Sequence, residues 1–303
     1  MTITFACQQC GAGLAFEGVR TETCPYCASP SFVERPATSN QPDPAFAVAF
    51  TGDAVWARAR LAAWLGGRSV FADPALRRAR VADLRGVYLP AYLFSAVARS
   101  DYTASIGEQY TEIETSRKKD ADGKETTEMR TVTRTEYRTL SGQHVGYITD
   151  LIISASAALD QRTLGAVGPY DLRQLRRFSP TLVSGWIHEE FSRSADACTR
   201  VSRDEALDAV GDKLRAFMPG DSYSDLSWRT TIDWESLDPI LVPVWVFVVR
   251  YRDDKEPLRV VINGQTGQIA GKVPLAWWKI TLAVALLLAV VAIVIYLAHG
   301  SPP

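Results

Sequence analysis

The most hydrophobic stretch of the chain lies near its C-terminal end. Ile280 to Ala298 contains nineteen consecutive residues without a charge, which as a helix span roughly 28 Å at about 1.5 Å per residue. This length matches the hydrocarbon core of a bilayer, and Trp277, Trp278 and Tyr296 stand where aromatic residues favour membrane interfaces. The pattern predicts one transmembrane helix at 277–298. A buried core helix is the alternative, although such helices are rarely apolar on every side.

Before this segment, the pattern of polar and apolar residues predicts a body of two α+β units, 47–150 and 151–274. In the first unit, Thr51 is the expected cap of a helical run from Asp53 to Leu65. A strand-like segment, Leu84 to Phe94, follows the helix after a short spacer.

The second unit repeats the pattern of the first. A shift of 153 residues places the helix and strand of the first unit on similar residues of the second, without a gap. We interpret this match as an internal duplication of a helix-then-strand unit, with coincidence between two apolar strands as the alternative. The matched pairs include Leu61 and Leu214, Leu65 and Met218, Leu84 and Leu237, Pro90 and Pro243, and Phe94 and Phe247.

Two further stretches predict antiparallel strands. Residues 102–147 alternate polar and apolar side chains around a charged centre, Lys119 to Lys124, which predicts a long β-hairpin with a solvated tip. The sequence NGQTG, Asn263 to Gly267, predicts the turn of a shorter hairpin. A helix is expected near Tyr170 to Arg177. The overall fold class is therefore α+β.

The polar N-terminal part is predicted to be a small module, 1–35, joined to the body by a linker, 36–46, that is rich in Pro, Ser, Thr and Asn. The module contains two Cys-x-x-Cys pairs separated by thirteen residues. Two thiolates on each turn can hold opposite faces of one tetrahedral ion, so we predict a structural zinc ribbon that the ion helps to fold. The expected ligands are Cys7, Cys10, Cys24 and Cys27.

Two other states of these cysteines are open alternatives. Disulfides are the first, but the start of the chain, MTITFACQQC, lacks the features of a secretory signal, which favours a reducing compartment. A rubredoxin-like iron site is the second, because the same thiolates can hold iron. A closed four-cysteine site leaves no open coordination position, so the metal is not expected to be hydrolytic.

The distribution of charge bears on partners and orientation. The chain has 33 Lys and Arg against 34 Asp and Glu, so no global field attracts nucleic acid. The module itself carries Glu17, Glu22 and Glu34 against two arginines, which disfavours a phosphate backbone. Lys272 and Lys279 precede the apolar segment. The positive-inside rule therefore predicts a single-pass protein of the cell (inner) membrane, with its N-terminus and bulk cytoplasmic.

One segment of the body is locally basic. Residues 53–85 contain seven arginines and three aspartates, an excess of four positive charges. On a protein tethered at the inner leaflet, this patch is a candidate for contact with anionic lipid headgroups, and an ordinary solvated helix face is the alternative. The arginines are Arg58, Arg60, Arg68, Arg77, Arg78, Arg80 and Arg85.

Few side chains of the body suit catalysis. Its histidines are His144 and His188, and the run from His188 to Glu190 lacks the spacing of a helical metalloprotease motif and fits a half-exposed strand. Cys198 stands alone on an expected helix, where a buried thiol is more common than a nucleophile. We therefore expect neither enzymatic activity nor a small-molecule substrate.

Several motifs together resemble a family of bacterial membrane-anchored TFIIB-type zinc-ribbon proteins, often labelled primosomal-helicase-like from the ribbon alone. These motifs are CQQCGAGLAF, CPYC, GVYLPAYLF, LVPVWVF and INGQTGQIAG. The resemblance covers nearly the whole chain and implies that the four paired cysteines bind zinc. It also implies SPFH-type scaffold proteins or phage-shock-type envelope-stress proteins as partners.

The leading hypothesis is a non-enzymatic adaptor that recruits or organises cytoplasmic proteins at the cell membrane, with envelope stress as a candidate setting. The main alternative is a membrane-tethered nucleic-acid-binding zinc-ribbon protein, which a salt-dependent affinity for DNA or RNA would favour. Electron transfer through an iron-loaded module is a third hypothesis.

Overall fold

The described part of the chain combines a sheet of eleven strands with five α-helices, in agreement with the expected α+β class. The computed structural model describes residues 3–16, 23–30, 32–35, 41–67, 70–119 and 125–299. The strands are β1 Ile3–Cys7, β2 Gly13–Phe16, β3 Phe32–Arg35, β4 Phe46–Val48, β5 Arg80–Lys119, β6 Glu125–Ser154, β7 Leu175–Arg177, β8 Ile187–Glu189, β9 Ser222–Arg250, β10 Leu258–Asn263 and β11 Ile269–Gly271. The helices are α1 Ala54–Gly66, α2 Gln161–Val167, α3 Pro180–Val183, α4 Ala195–Phe217 and α5 Trp277–His299.

Some sequence predictions fall outside the described residues. These are the first part of the linker, 36–40, the residue Arg68 of the basic patch, and the tip of the long hairpin, 120–124.

The chain divides into two compact units, neither of which is continuous in sequence. Unit 1 contains Met1–Tyr92, Ile152–Cys198 and Asp238–Pro303, and unit 2 contains Leu93–Leu151 and Thr199–Leu237. The long strands β5 and β9 each contribute to both units. These units cut across the expected division between residues 150 and 151, and the sequence-based domain boundaries stay predictions.

The sheet of unit 1 includes the strands of the cysteine-bearing module. Its strand order is β11-β10-β9-β5-β8-β2-β1-β3, and β4 pairs with β7 and β9. β2 connects the module to the body because it pairs antiparallel with β8, with Leu14 opposite Glu189. β8 in turn runs parallel to β5, with Ile187 opposite Val87. The module strands therefore continue the sheet of the body.

Helix α1 covers part of this sheet. The helix begins at Asp53, whose carboxylate accepts a hydrogen bond from the backbone N–H of Trp56 at 2.8 Å, so the cap is Asp53 and not the expected Thr51. A carboxylate suits this position because the first N–H groups of a helix lack partners and carry partial positive charge. The core of unit 1 contains Ala57 and Leu61 of α1, Trp245, Phe247 and Val249 of β9, and Val260 and Ile262 of β10.

The NGQTG sequence forms the turn between β10 and β11. The side-chain oxygen of Asn263 accepts from the backbone N–H of Gln265 at 2.8 Å, and its side-chain nitrogen donates to the carbonyl of Val167 at 3.0 Å. Gly267 has a φ of +79°, and a Cβ there would lie 2.8 Å from the ring of Trp56. Glycine is therefore required at this turn by both conformation and space, and the expected turn is confirmed.

Unit 2 contains the long hairpin expected from the sequence. β5 and β6 are neighbours, and α4 packs on one part of them. Beyond the part that α4 covers, side chains such as Tyr110, Ile113 and Tyr137 are exposed. The core of unit 2 contains Phe94, Ala96, Ala98 and Tyr102 of β5, Ile148 of β6, and Ala206, Val210 and Leu214 of α4.

In each core, a leucine of a helix shares the cluster with a phenylalanine of a long strand. In unit 1, Leu61 of α1 shares a core with Phe247 of β9. In unit 2, Leu214 of α4 shares a core with Phe94 of β5. The two leucines are 153 positions apart, and so are the two phenylalanines. Both long strands contribute to each core, because Leu84 of β5 also packs against the first core and Leu237 of β9 against the second.

Helix α5 is long and apolar enough to cross a membrane. The stretch Trp277–Tyr296 has a mean hydropathy of 2.6, and none of it is buried. A core helix of a soluble protein would be buried, whereas Leu287 and Leu288 are each 63% exposed. Exposed aliphatic side chains on all faces favour a lipid environment.

Candidate metal centre

Two turns at one end of the module strands carry the four paired cysteines. Cys7 ends β1, and Cys10 follows in the turn towards β2. Cys24 and Cys27 lie in a second turn that precedes β3. β1 pairs antiparallel with both β2 and β3, so the strand ladder holds the first turn in place.

The two turns share one pattern of backbone hydrogen bonds. The N–H of Gly11 donates to the carbonyl of Cys7 at 2.9 Å, and the N–H of Ala28 donates to the carbonyl of Cys24 at 2.8 Å. Gly11 has a φ of +74° and Ala28 a φ of +58°, so both turns close through a left-handed residue. Each turn therefore carries two cysteines on a similar backbone, which suits a site with two ligands from each turn.

The four sulfur atoms are close enough to share one metal ion. All four lie within 4.8 Å of one another, and the Sγ atoms of Cys7 and Cys27 are 3.6 Å apart, as are those of Cys10 and Cys24. Metal–sulfur bonds of about 2.3 Å at tetrahedral angles place the sulfurs about 3.8 Å apart, whereas a disulfide requires about 2.05 Å. All four cysteines are free thiols. The arrangement fits a four-thiolate metal site and not two disulfides.

Hydrogen bonding and burial change the pKa of three of the four thiols. The hydrogen bond between the sulfur atoms of Cys10 and Cys24 lowers the pKa of Cys10 to about 5 and raises the pKa of Cys24 above its usual value. Burial raises the pKa of Cys27 to about 11. Without a cation, the cluster cannot carry four thiolates near neutral pH because the like charges repel. A bound dication replaces the protons, so metal binding releases protons and weakens as the pH falls.

Tyr26, in the second turn, attaches the cysteine cluster to the rest of unit 1. Its side chain is 1% exposed, and its hydroxyl donates to Oε2 of Glu189 at 2.7 Å. Arg259 of β10 donates from Nε to the carbonyl oxygen of Tyr26 at 2.8 Å, and its guanidinium lies 5.6 Å from the centre of the Tyr26 ring. Together with the pairing of β2 and β8, these contacts fix the second turn against the body.

Glu189 is a buried carboxylate at this junction. It is 1% exposed, and its Oε1 accepts from the hydroxyl of Ser156 at 2.7 Å and from the backbone N–H of Ala157 at 3.1 Å. Desolvation raises the pKa of Glu189 to about 6 despite these bonds. Burial and the charge of Glu189 also raise the pKa of Tyr26 well above its usual value. Near neutral pH, hydrogen bonds from these donors therefore stabilise the Glu189 carboxylate, because a buried charge without such partners is strongly destabilising.

The other candidate residues lie apart from the cysteine group. Among the residues described, no further Cys, His, Asp or Glu joins the four cysteines. His188 lies on β8 as expected, and burial alternates along this strand, with Ile187 and Glu189 buried and His188 partly exposed. His144 lies on β6. Cys198 is buried on α4 with its sulfur 3.8 Å from the carbonyl oxygen of Ser154, and burial raises its pKa, which favours an unreactive thiol.

The junction of Tyr26, Glu189 and Arg259 was not found from the sequence. Tyr26 is the only one of the three with a local indication, because it lies between two of the paired cysteines. Its partner Glu189 is 163 positions away, and neither pattern nor spacing connects the two.

Comparison with known proteins does not place the chain in a family. No protein-family model matches it, and neither a curated protein nor a solved structure does. The resemblance to membrane-anchored zinc-ribbon proteins therefore stays a prediction, and the geometry of the two units is the basis for a functional proposal.

Proposed function

We propose that the chain is a non-enzymatic, membrane-anchored zinc-ribbon adaptor that recruits or organises cytoplasmic proteins at the cell membrane. The observation that carries the proposal is the state of Trp234 in unit 2. Its side chain is 79% exposed, and its φ of +53° lies in the left-handed region. This conformation costs a residue with a Cβ about 1–2 kcal/mol. A strained, exposed tryptophan is accounted for by contact with a partner, because strain of this kind concentrates at functional positions and tryptophan dominates many protein interfaces.

Ion pairs hold the residues on either side of Trp234. Arg99 of β5 pairs with Asp233 at 3.3 Å, and Arg203 of α4 pairs with Glu235 at 2.9 Å. Each exposed pair contributes only up to about 1 kcal/mol to stability. They attach the two neighbours of Trp234 to different elements, β5 and α4, and so restrict the backbone that carries the exposed ring.

In this proposal the metal is a structural Zn²⁺ ion held by the four paired cysteines. A closed site of four thiolates has no open coordination position and suits a structural role. Because Tyr26 lies between two of these ligands and is bonded to Glu189, the ion would cross-link the module at the point where it meets the body. Iron in the same site is the competing possibility, and it would give the protein visible colour and redox activity.

The proposed location is the cell (inner) membrane, with α5 as a single span and both units in the cytoplasm. Lys272 and Lys279 precede the apolar stretch, which favours a cytoplasmic side for the residues before it. The free state of the cysteines suits the same reducing compartment. SPFH-type and phage-shock-type proteins stay predicted partners, since only the family resemblance implies them.

We also attribute the two helix-then-strand units to an internal duplication. This proposal is supported by two leucine–phenylalanine pairs that share a core, Leu61 with Phe247 and Leu214 with Phe94, since both the leucines and the phenylalanines are 153 positions apart.

Affinity purification of the tagged full-length chain in mild detergent tests the adaptor proposal. Trp234→Ala should reduce the protein that co-purifies with the wild type at least tenfold, while leaving metal content and membrane recovery unchanged. Tyr223→Ala is the matched control, because Tyr223 is also an exposed aromatic residue of β9. Equal recovery of partner by the wild type and Trp234→Ala would overturn the proposal for this surface.

The same preparation discriminates the nucleic-acid alternative. Binding of DNA or RNA that weakens steeply as salt is raised would favour that alternative. The adaptor proposal expects a protein partner whose recovery survives nuclease treatment.

A further inference from the structure

The segment 70–78 is attached to the first turn of the apolar helix α5. The carbonyl oxygen of Phe71 accepts from the backbone N–H of Ala276 at 2.8 Å. The Nζ atom of Lys279 donates to the carbonyl oxygen of Val70 at 2.8 Å. These bonds hold the segment at the level where the charge-free part of α5 begins.

The start of this segment is apolar and exposed. Val70 is 81% exposed, and Phe71 is 40% exposed. The groove between Phe71 and α5 has a volume of about 390 Å³ and is lined by Phe71, Leu275, Ile280, Ala283, Val284 and Leu287. The helix residues of this lining extend roughly 10 Å past Ile280 at about 1.5 Å per residue. When α5 spans a bilayer, the groove therefore lies at the depth of the acyl chains.

The end of the segment is cationic. Arg77 and Arg78 close a short 3₁₀ turn and are exposed. In the part of the chain that the structure describes, neither forms a salt bridge. The acid of the segment, Asp73, accepts from the N–H of Ala75 at 2.9 Å and pairs with Arg252 at 3.5 Å. The two arginines are thus available to an external anion, for which the guanidinium group is well suited when the anion is a phosphate.

We infer that the segment 70–78 is a second membrane contact that binds an anionic phospholipid. An acyl chain lies in the groove beside Phe71, and the headgroup phosphate pairs with Arg77 and Arg78. The inference rests on the proposed membrane anchorage, and two observations favour lipid as the occupant. The groove is continuous with the surface of the spanning helix, and the adjacent unpaired charges are positive, as anionic headgroups require.

The lipid site uses only some of the arginines in the basic patch expected from the sequence. Arg85 pairs with Asp83 at 3.1 Å, and Arg60 lies over the ring of Trp56 at 5.4 Å. Both arginines have partners within the protein, whereas Arg77 and Arg78 have none among the residues described and belong to the segment whose start is bonded to α5. Only part of the patch is therefore assigned to lipid.

Photo-crosslinking of the full chain in lipid nanodiscs tests the apolar part. A benzophenone amino acid replaces Val70, and the control replaces Val55, which is 74% exposed on α1. We expect phospholipid adducts at position 70 and none at position 55. A second control at Leu288 reports on α5 itself. Adducts at 288 without adducts at 70 would overturn the inference and leave the anchorage intact, whereas no adducts at either position would contradict both. Adducts at 70 to a second protein chain would also overturn it.

Lipid counting by native mass spectrometry tests the charged part. The full chain is loaded with equal phosphatidylglycerol and phosphatidylcholine, and the retained lipids are compared with those of Arg77→Gln/Arg78→Gln. Each arginine near an anionic surface contributes about a fivefold preference, so the double variant should lose roughly 5- to 25-fold of the phosphatidylglycerol preference. The control is Arg176→Gln/Arg177→Gln, an exposed pair in β7. An equal change in both variants would overturn the assignment.

Discussion

The hydroxyl of Tyr26 should stabilise the cysteine cluster through one buried hydrogen bond. Tyr26→Phe removes the donor to Glu189 and keeps the aromatic ring in place. The distance of 2.7 Å and the burial of both side chains indicate a strong bond. A hydrogen bond to a charged group contributes about 1.5–3 kcal/mol, and a neutral one about 0.5–1.5 kcal/mol. The substitution should therefore destabilise the second turn by about 2 kcal/mol when Glu189 is ionised.

The effect should depend on pH because the pKa of Glu189 is raised to about 6. Well below pH 6 the carboxyl group is protonated, and the lost bond is between neutral groups. Above pH 7 the group is a buried carboxylate, and the lost bond is charge-assisted. The destabilisation by Tyr26→Phe should therefore grow from about 1 kcal/mol near pH 5 to about 2–3 kcal/mol near pH 8.

Metal release into an excess of chelator is the most local assay of this effect. Tyr26 lies between two of the cysteines, so opening of its turn exposes the ion. If release proceeds through that opening, 2 kcal/mol corresponds to roughly 30-fold faster release, since 1.36 kcal/mol is a factor of ten. The rate is measured on the full chain in detergent, at several pH values, with a metal-sensitive dye.

Tyr170→Phe is the matched control. Tyr170 is also buried in unit 1, but its hydroxyl donates to the carbonyl of Pro243 at 3.4 Å, a long bond to a neutral acceptor. Its loss should change the release rate by less than about threefold. Equal rates for the two variants, or a Tyr26→Phe effect that does not vary with pH, would refute the role assigned to Glu189.

Three further predictions concern the same region. Glu189→Gln should remove a pH dependence of the free energy of unfolding. Because the pKa of Glu189 is about 6 in the folded protein and 4.5 ordinarily, the wild type should lose about 2 kcal/mol of stability as the pH rises from 4.5 to 6. Urea titrations of both proteins across this range measure the difference. Gly11 and Ala28 both have a left-handed backbone conformation, which favours glycine. Ala28→Gly should therefore stabilise the metal-loaded module by about 1 kcal/mol, and Gly11→Ala should destabilise it by a similar amount. Thermal melts in which both variants shift in the same direction would contradict this. Cys24→Ser should abolish metal retention on dialysis, whereas Cys198→Ser should leave it unchanged.

Local patterns in the sequence were sufficient for the parts of the fold that short-range chemistry determines. The paired cysteines, the NGQTG turn and the apolar helix each depend on residues within about twenty positions. In the structure, these segments form a four-cysteine cluster, a β-turn and an exposed apolar helix. In these segments, no distant contact opposes the local preference.

Segments that depend on distant partners could not be predicted in the same way. The helix expected near Tyr170 to Arg177 is instead a short 3₁₀ turn followed by β7, because β7 pairs with the distant strand β4. The burial of Glu189 depends likewise on Tyr26 and Ser156, which lie far from it in sequence. Tertiary contacts override local preference in both cases.

Metal analysis of protein taken from washed membranes determines whether the chain is both membrane-bound and metal-loaded. The full-length chain is extracted with mild detergent, and its metal content is measured by elemental analysis beside that of Cys10→Ser/Cys24→Ser. We predict one zinc ion per wild-type chain in the membrane fraction and none in the variant. Recovery of the wild type in the soluble fraction, or a wild-type chain in the membrane with no more bound metal than the variant, would contradict it.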